Sequence, residues 1–100
     1  MAKSNDADVN VRRNDDAGRY ELLIDGEVAS YADFIDDGSK VVLPHTVTLP
    51  AFRNRGLAAK LVRATLDDLR IRARDVEPSC WFVAEFIDLH PEYAEMVPRR

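Results

Sequence analysis

The chain has 100 residues, enough for one domain with a modest core. It is 46% hydrophobic and 32% charged, a globular composition, and no apolar run approaches the roughly 18 residues of a membrane span. The net charge of −4 argues against a nucleic-acid-binding protein, which usually has a basic face, and is compatible with a cationic partner. The polar residues 1–10 lack the apolar segment of a secretory signal, and the single Cys80 excludes an internal disulfide. Both features predict a cytoplasmic location.

The first half of the sequence predicts an antiparallel meander. Residues 1–8 predict a flexible polar tail, and residues 9–98 a single domain that starts with a short edge strand. Residues 19–24 and 27–35 predict two strands joined at Asp25-Gly26, a strong hairpin signal. Residues 41–49 predict the third strand, in which Pro44 removes one ladder donor and favours a bulge or an irregular pairing.

The second half predicts a crossover followed by a C-terminal helical segment. Residues 56–74 predict a long amphipathic helix. Its predicted apolar stripe is Ala58, Leu61, Val62, Thr65, Leu66, Leu69 and Ala73, and Ile71 falls off it. Residues 76–80 predict a strand that, after so long a helix, runs parallel to 41–49. Residues 82–89 predict a helix with Phe82, Phe86 and Leu89 on one face, and Pro91 starts a last turn onto which Tyr93 and Val97 pack. The fold class is therefore α+β.

One loop has the residues of an anion site. It reads Arg53-Asn54-Arg55-Gly56-Leu57-Ala58, where free backbone N–H groups and the positive end of a helix dipole suit a pyrophosphate. Arg53-x-x-Gly56-x-Ala58 resembles the signature of the GNAT N-acetyltransferases, which bind acetyl-CoA. Three further groups of residues resemble the small stand-alone GNAT-like subgroup: His45-Thr46, Pro78-Ser79-Cys80-Trp81-Phe82 and His90-Pro91-Glu92-Tyr93.

This resemblance implies an abbreviated GNAT acyl-CoA N-acyltransferase fold and an acetyl-CoA-dependent transfer of an acetyl group to a primary amine. The strand end 47–49 would hydrogen-bond to pantetheine, and residues 53–60 would hold the pyrophosphate. The implied cofactor-binding residues are Val47, Thr48, Leu49, Arg53, Asn54, Arg55, Gly56, Leu57, Ala58, Ala59 and Lys60. An ordinary helix N-terminus with solvated loop charges is the alternative interpretation of the same residues.

The acceptor side is expected to be open. Full-length GNAT domains have helices between their first two strands and extra strands at the end, for which this chain has no room. The acceptor would then be an exposed amine on something large, such as a protein lysine, or a polyamine, unless a second subunit completes the site. A monomer or a weak homodimer is expected, without a nucleic-acid or membrane partner. The alternative function is a CoA-binding or acyl-CoA-binding module with little or no turnover.

Three residues are candidates for catalysis. Cys80 lies where the resemblance puts a cysteine near the CoA sulfur, and it precedes a helix whose N-terminus would lower a thiol pKa. It is a nucleophile, a thiol packed beside the cofactor, or a small buried hydrophobe. His45 is a candidate base, because an amine must lose its proton before it attacks. Its position with Leu43 and Val47 equally suits a hydrogen-bonded core histidine. Tyr93 is a candidate proton donor to the leaving thiolate, although core packing explains it as well.

Val47 departs from the family pattern. The corresponding strand position in many GNAT enzymes is a glutamate that acts as the base or orients a water. Glu85 and Asp88 on the next helix could substitute through water, or could be exposed helix charges. His90 is explained equally by turn formation. Two histidines so far apart, without a third ligand at suitable spacing, predict no metal site.

Overall fold

The computed structural model describes residues 8–98. The predicted tail, apart from Asp8, lies outside the described residues. Within them, no helix is long and apolar enough to cross a membrane.

A four-stranded antiparallel sheet forms one layer of the domain. Its strands are β1 (Val9–Asn14), β2 (Arg19–Ile24), β3 (Glu27–Asp33) and β6 (Thr46–Thr48), in the order β1-β2-β3-β6. The hairpin at Asp25-Gly26 is confirmed, since Ile24 pairs with Glu27 and both turn residues have positive φ, 52° and 84°. Asp-Gly is common in two-residue hairpin turns because both of its residues tolerate the positive φ that these turns require. The predicted edge strand is also confirmed as β1.

A second, smaller sheet contains β4 (Ile35–Asp36), β5 (Val41–Val42) and β7 (Val76–Glu77). β4 and β5 are antiparallel, and β5 and β7 are parallel, which confirms the predicted parallel crossover. The predicted strands 27–35 and 41–49 are wrong as continuous strands, because each is divided between the two sheets. Phe34, whose N–H bonds to the carbonyl of Gly18, lies between β3 and β4, and Pro44, which lacks an N–H, interrupts the second predicted strand.

Helix α1 (Leu57–Ile71) packs on β2 and β3 and contributes more buried core residues than any other element. Its buried residues are Leu57, Leu61, Val62, Thr65, Leu66 and Leu69, so the predicted stripe is largely confirmed. The predicted end at residue 74 is three residues too long, because Ala73 adopts φ 60° and is exposed. Ile71, off the stripe, faces solvent.

Helix α2 (Trp81–Leu89) follows β7 and confirms the predicted helix, but not its predicted face. Val83, Phe86 and Ile87 are buried, whereas Leu89 is exposed. The chain then makes the 3₁₀ segment Pro91–Met96, in which Tyr93 is buried, and Val97 packs against the same core. The last turn from Pro91 is therefore confirmed.

An ion pair fastens the small sheet to the end of α1. The Arg74 guanidinium binds both carboxylate oxygens of Asp36, at 2.6 and 2.8 Å. The hydrogen bonds from Arg74, and then the one from the Gly38 N–H, lower the pKa of Asp36 to about 2. A carboxylate whose pKa is depressed by folding stabilises the folded state above its unfolded pKa of about 3.9, and this contribution disappears as the pH falls through the folded value.

We therefore expect Asp36→Asn to unfold at lower urea than the wild type at pH 7. The difference should shrink between about pH 4 and about pH 2, where the wild-type carboxylate becomes protonated. Urea midpoints measured from pH 7 to pH 2 check this, with the exposed Asp88→Asn as the matched control. A difference that stays constant down to pH 2 would contradict the assignment.

Candidate functional site

The loop before α1 forms an open anion cradle, defined here as residues 54–59. A 3₁₀ turn (Pro50–Phe52) leads into it, and Asn54 and Gly56 adopt positive φ of 66° and 72°. Gly56 is the N-cap of α1, and no side chain within residues 8–98 caps this helix. The first N–H groups of an α-helix have no intrahelical acceptor. Those of Leu57, Ala58 and Ala59 are thus available to an anion, with the helix dipole adding a partial positive charge.

The basic side chains around the cradle have different surroundings. Arg53 Nε donates to the carbonyl of Thr48 at 3.2 Å, which ties the loop to β6. The Arg55 guanidinium lies 5.5 Å from the centre of the Phe52 ring. Lys60 is exposed, and it makes no ion pair with any residue in the described range 8–98. Arg53, Arg55 and Lys60 therefore give the surroundings of the cradle an excess of positive charge.

Among residues 8–98, strand β6 pairs with β3 only, so its other edge is open within that part of the chain. The Leu49 N–H donates to the carbonyl of Ala29, and the carbonyl of His45 accepts from the Asp33 N–H. Because main-chain groups alternate in direction along an antiparallel strand, those of Thr46 and Thr48 face away from β3. Ser30 and Thr48 have hydroxyl oxygens 3.0 Å apart, as expected for a pair without main-chain bonds. The open edge thus presents the main-chain N–H and carbonyl of Thr46 and the N–H of Thr48 next to the cradle, while the Thr48 carbonyl accepts from Arg53 Nε.

The two sheets separate beside this edge. β5 and β7 pair up to Leu43, whose N–H donates to the carbonyl of Glu77 and whose carbonyl accepts from the Cys80 N–H. β6, after Pro44, belongs to the other sheet. The divergence gives the open edge of β6 a gap in which an extended ligand could form strand-like hydrogen bonds.

Cys80 lies at the inner end of this gap. It is buried and is the N-cap of α2, and its Sγ is 3.8 Å from Thr46 Oγ1. The predicted strand 76–80 is wrong in length, because β7 ends at Glu77. Pro78 lacks the N–H that would continue the ladder. Cys80 is held instead by its single N–H bond to Leu43 and by its place at the start of α2.

His45 is not the core residue that its position between Leu43 and Val47 suggested. Its side chain is 61% exposed, and its Nε2 lies 2.6 Å from Asp33 Oδ2. The interruption at Pro44 removes the strand alternation, so Leu43 is buried while His45 turns outward. Sequence analysis missed Asp33. The only signal for it was its place at the end of β3, opposite the start of β6.

The remaining candidates do not converge on the gap. The Tyr93 hydroxyl donates to Asp67 Oδ1 at 2.7 Å and accepts from Arg63 Nη1 at 3.2 Å. Burial, and then the bond to Asp67, raise the pKa of Tyr93. His90 stacks on Phe86 at 4.0 Å between ring centres, and its Nδ1 is 2.8 Å from the Phe86 carbonyl oxygen. Tyr93 and His90 are thus engaged in packing.

Several acidic side chains remain exposed or half-buried, including Glu85 and Asp88 on α2. Val47 lies opposite Tyr31, and β6 carries no carboxylate. Among residues 8–98, no three His, Cys, Asp or Glu side chains lie close enough to hold a metal ion. Asp33 and His45 form an acid–base pair at the end of β3 and just before the start of β6.

A known protein family matches most of the chain. The family described as GCN5-related N-acetyl-transferase matches residues 19–96, which is more than half of the chain. The matched range runs from β2 to the last 3₁₀ segment and includes the cradle, the open edge of β6, His45 and Cys80. No curated protein matches the chain.

Proposed function

Because the chain belongs to the GCN5-related N-acetyltransferase family, we propose that it transfers the acetyl group of acetyl-CoA to a primary amine. The family supports an acyltransferase-type function. The finer proposal depends on one observation, the anion cradle placed directly beside the open edge of β6. The pyrophosphate of CoA needs an anion site, and the peptide-like pantetheine chain attached to it needs an adjacent strand edge.

The cradle suits the CoA pyrophosphate because its N–H groups and nearby cations are complementary to two adjacent phosphates. Arg55 and Lys60 would pair with phosphate oxygens, while Arg53 keeps the loop against β6. Pantetheine contains two amide groups, which would bond to the outward main-chain groups of Thr46 and Thr48. The thioester would then lie near Thr46 and Cys80, which are already in contact.

The reaction needs a neutral amine, so an ammonium substrate must first lose one proton, which passes to solvent. The nitrogen lone pair attacks the thioester carbonyl carbon, an oxyanion forms, and the C–S bond breaks to release CoA as a thiolate. An N–H group of the open edge would stabilise the oxyanion. If His45 donates its Nε2–H to Asp33, its Nδ1 has a free lone pair that can accept each of these protons. The second proton, which the nitrogen loses as the amide forms, would then neutralise the thiolate.

Cys80 offers a second route. Its thiolate would attack the thioester first, release CoA, and pass the acetyl group to the amine. Mass spectrometry after mixing with acetyl-CoA alone distinguishes the routes, because only this one leaves an acetyl group on Cys80. Full turnover by Cys80→Ala would exclude it and leave direct transfer in place.

Gly56→Val tests the cradle. The φ of 72° strains any residue with a side chain, and a branched side chain projects into the open space where the phosphates would lie. We expect the Kd for acetyl-CoA, measured by calorimetry, to rise at least about tenfold, since losing one charge-assisted hydrogen bond costs about 1.5–3 kcal/mol.

Gly38→Val is the matched control. Gly38 also has a positive φ, 93°, with nothing near the position of an added Cβ, but it lies in the turn between β4 and β5. Both variants should lose similar stability, and only Gly56→Val should lose acetyl-CoA affinity. Equal affinities in the two variants would exclude the cradle as the phosphate site.

The second candidate function is a CoA-binding module without turnover. Val47 favours it, because β6 lacks the glutamate that many family members use. Titration with acetyl-CoA, followed by thiol release with and without lysine peptides and polyamines, separates the candidates. Amine-dependent thiol release supports the transferase, and binding without release by any amine supports the module.

A further inference from the structure

A buried carboxylate lies on the face of the large sheet opposite α1, called here the outer face. In β2, Tyr20 and Leu22 belong to the core that α1 covers, so the alternation of side chains along a strand puts Arg19 and Glu21 on the outer face. The Glu21 side chain is only 2% exposed. A carboxylate buried to this extent needs partners, because an uncompensated buried charge is costly.

Three side chains compensate the charge of Glu21. Arg12 Nε donates to Oε1 at 2.7 Å, and Arg19 Nε donates to Oε2 at 2.8 Å. Asn14 Nδ2 also donates to Oε2, at 3.1 Å. Burial by itself raises the pKa of Glu21, but the hydrogen bonds from Arg19, Arg12 and Asn14 outweigh burial and lower it. Glu21 is therefore ionised at neutral pH, and it holds both arginines.

One of these arginines lies beside the Asp33–His45 pair. Arg19 is directly opposite Asp33 in the register of β2 with β3, where Cβ atoms are about 4.5–5.5 Å apart. Within residues 8–98, however, Arg19 makes its ion pair with Glu21 and none with Asp33. Its guanidinium lies 4.3 Å from the centre of the Tyr31 ring. Asp33 Oδ2 is 2.6 Å from Nε2 of His45 instead.

We infer that Glu21 and Arg19 are positioning residues, in which Glu21 holds the Arg19 guanidinium away from Asp33 and so leaves that carboxylate to His45. This inference rests on the proposed function, in which His45 is the base. An arginine bonded to Asp33 would compete for the oxygen that His45 uses, and would put a positive charge beside the imidazole. Both effects disfavour the imidazolium that a histidine base becomes when it accepts a proton. Around His45, β3 supplies Asp33, β2 supplies Arg19 and Glu21, β1 supplies Arg12, and β6 has no charged side chain.

An NMR titration of the histidine ring signals tests this arrangement directly. The chain has two histidines, and His45→Ala identifies the signal that belongs to His45. In Glu21→Gln, the released Arg19 should pair with Asp33, and the midpoint of the His45 titration should fall by about one pH unit. A charge within about 4–6 Å usually moves a titration by about 1–3 pH units, and the exposure of His45 favours the low end. The double variant Glu21→Gln, Arg19→Gln should regain the wild-type midpoint, because no cation then remains opposite Asp33.

Asp68→Asn is the matched control. Asp68 also accepts a hydrogen bond from an arginine, Arg72 Nε at 2.7 Å, but it lies on α1, on the other side of the sheet. Its replacement removes one carboxylate, as Glu21→Gln does, and should leave the His45 titration unchanged. Equal falls in Asp68→Asn and Glu21→Gln would show a general effect of lost charge and would overturn the inference.

A wild-type midpoint in folded Glu21→Gln would also overturn the inference. If that variant does not fold, Arg19→Gln decides, since it removes the competing cation and leaves Glu21 with Arg12 and Asn14. The midpoint of its His45 titration should rise, and a fall would mean that Arg19 supports the pair. These titrations contain no acetyl-CoA, so they test the inference separately from the reaction. An absence of amine-dependent thiol release by the wild type would instead overturn the proposed function.

Discussion

Replacing His45 with alanine should lower kcat for acetyl transfer by about 10²- to 10⁴-fold, the usual contribution of a positioned general base. The Kd for acetyl-CoA should not change, because the His45 side chain points away from the core and is absent from the cradle. The physical reason is the amine proton, since a free lysine has a pKa of about 10.4 and is mostly protonated at neutral pH. Steady-state kinetics with a lysine peptide, alongside calorimetry with acetyl-CoA, measure the two quantities separately.

Asp33→Asn tests the positioning of that histidine. Asp33 would act only through His45, by accepting the Nε2–H at 2.6 Å. We expect a smaller loss of kcat than in His45→Ala, an unchanged KM for acetyl-CoA, and a shifted pH profile of kcat. Asp16→Asn, exposed in the turn between β1 and β2, should keep the wild-type profile. Wild-type kcat in His45→Ala would remove this histidine from the mechanism.

The parts of the fold that sequence analysis predicted well depend on local signals. The Asp25-Gly26 hairpin follows from the φ values that the two residues tolerate. Helix α1 follows from a stripe of large aliphatic residues at helical spacing, and its start follows from Gly56. The family match confirms the resemblance seen in the same loop. Each of these signals lies within a few residues of the feature it predicts.

Several of the errors share one cause, which is that tertiary packing chose between locally similar options. Residues 41–49 alternate well enough for one strand, yet Leu43 and Thr46 belong to different sheets. Because Pro44 interrupts the strand, the alternation of apolar and polar residues did not predict on which face His45 lies. The partnership with Asp33 depends on the register of β3 with β6, a long-range quantity.

Helix α2 shows the same limit. Its sequence has two overlapping apolar faces, and both contain Phe86. The predicted face continues to Leu89, whereas the observed one continues to Ile87. Periodicity defines both equally, and only the position of α1 decides between them. The face left outside carries Trp81 and Leu89, and both side chains are exposed.

Leu66→Ala should lower the free energy of unfolding by about 2–5 kcal/mol, a large part of the roughly 5–15 kcal/mol that stabilises a small domain. Leu66 is 0% exposed in the core that α1 forms with the sheet, so its removal leaves a cavity that the packed neighbours fill only partly. Ile71→Ala is the matched control, because it shortens an aliphatic side chain on the same helix at a position 84% exposed. It should change stability by no more than about 0.5 kcal/mol. Urea unfolding should therefore show a lower midpoint with an unchanged slope for Leu66→Ala only. Equal losses in the two variants would mean that α1 is stabilised by its own helix propensity, and that the sheet does not need its apolar face.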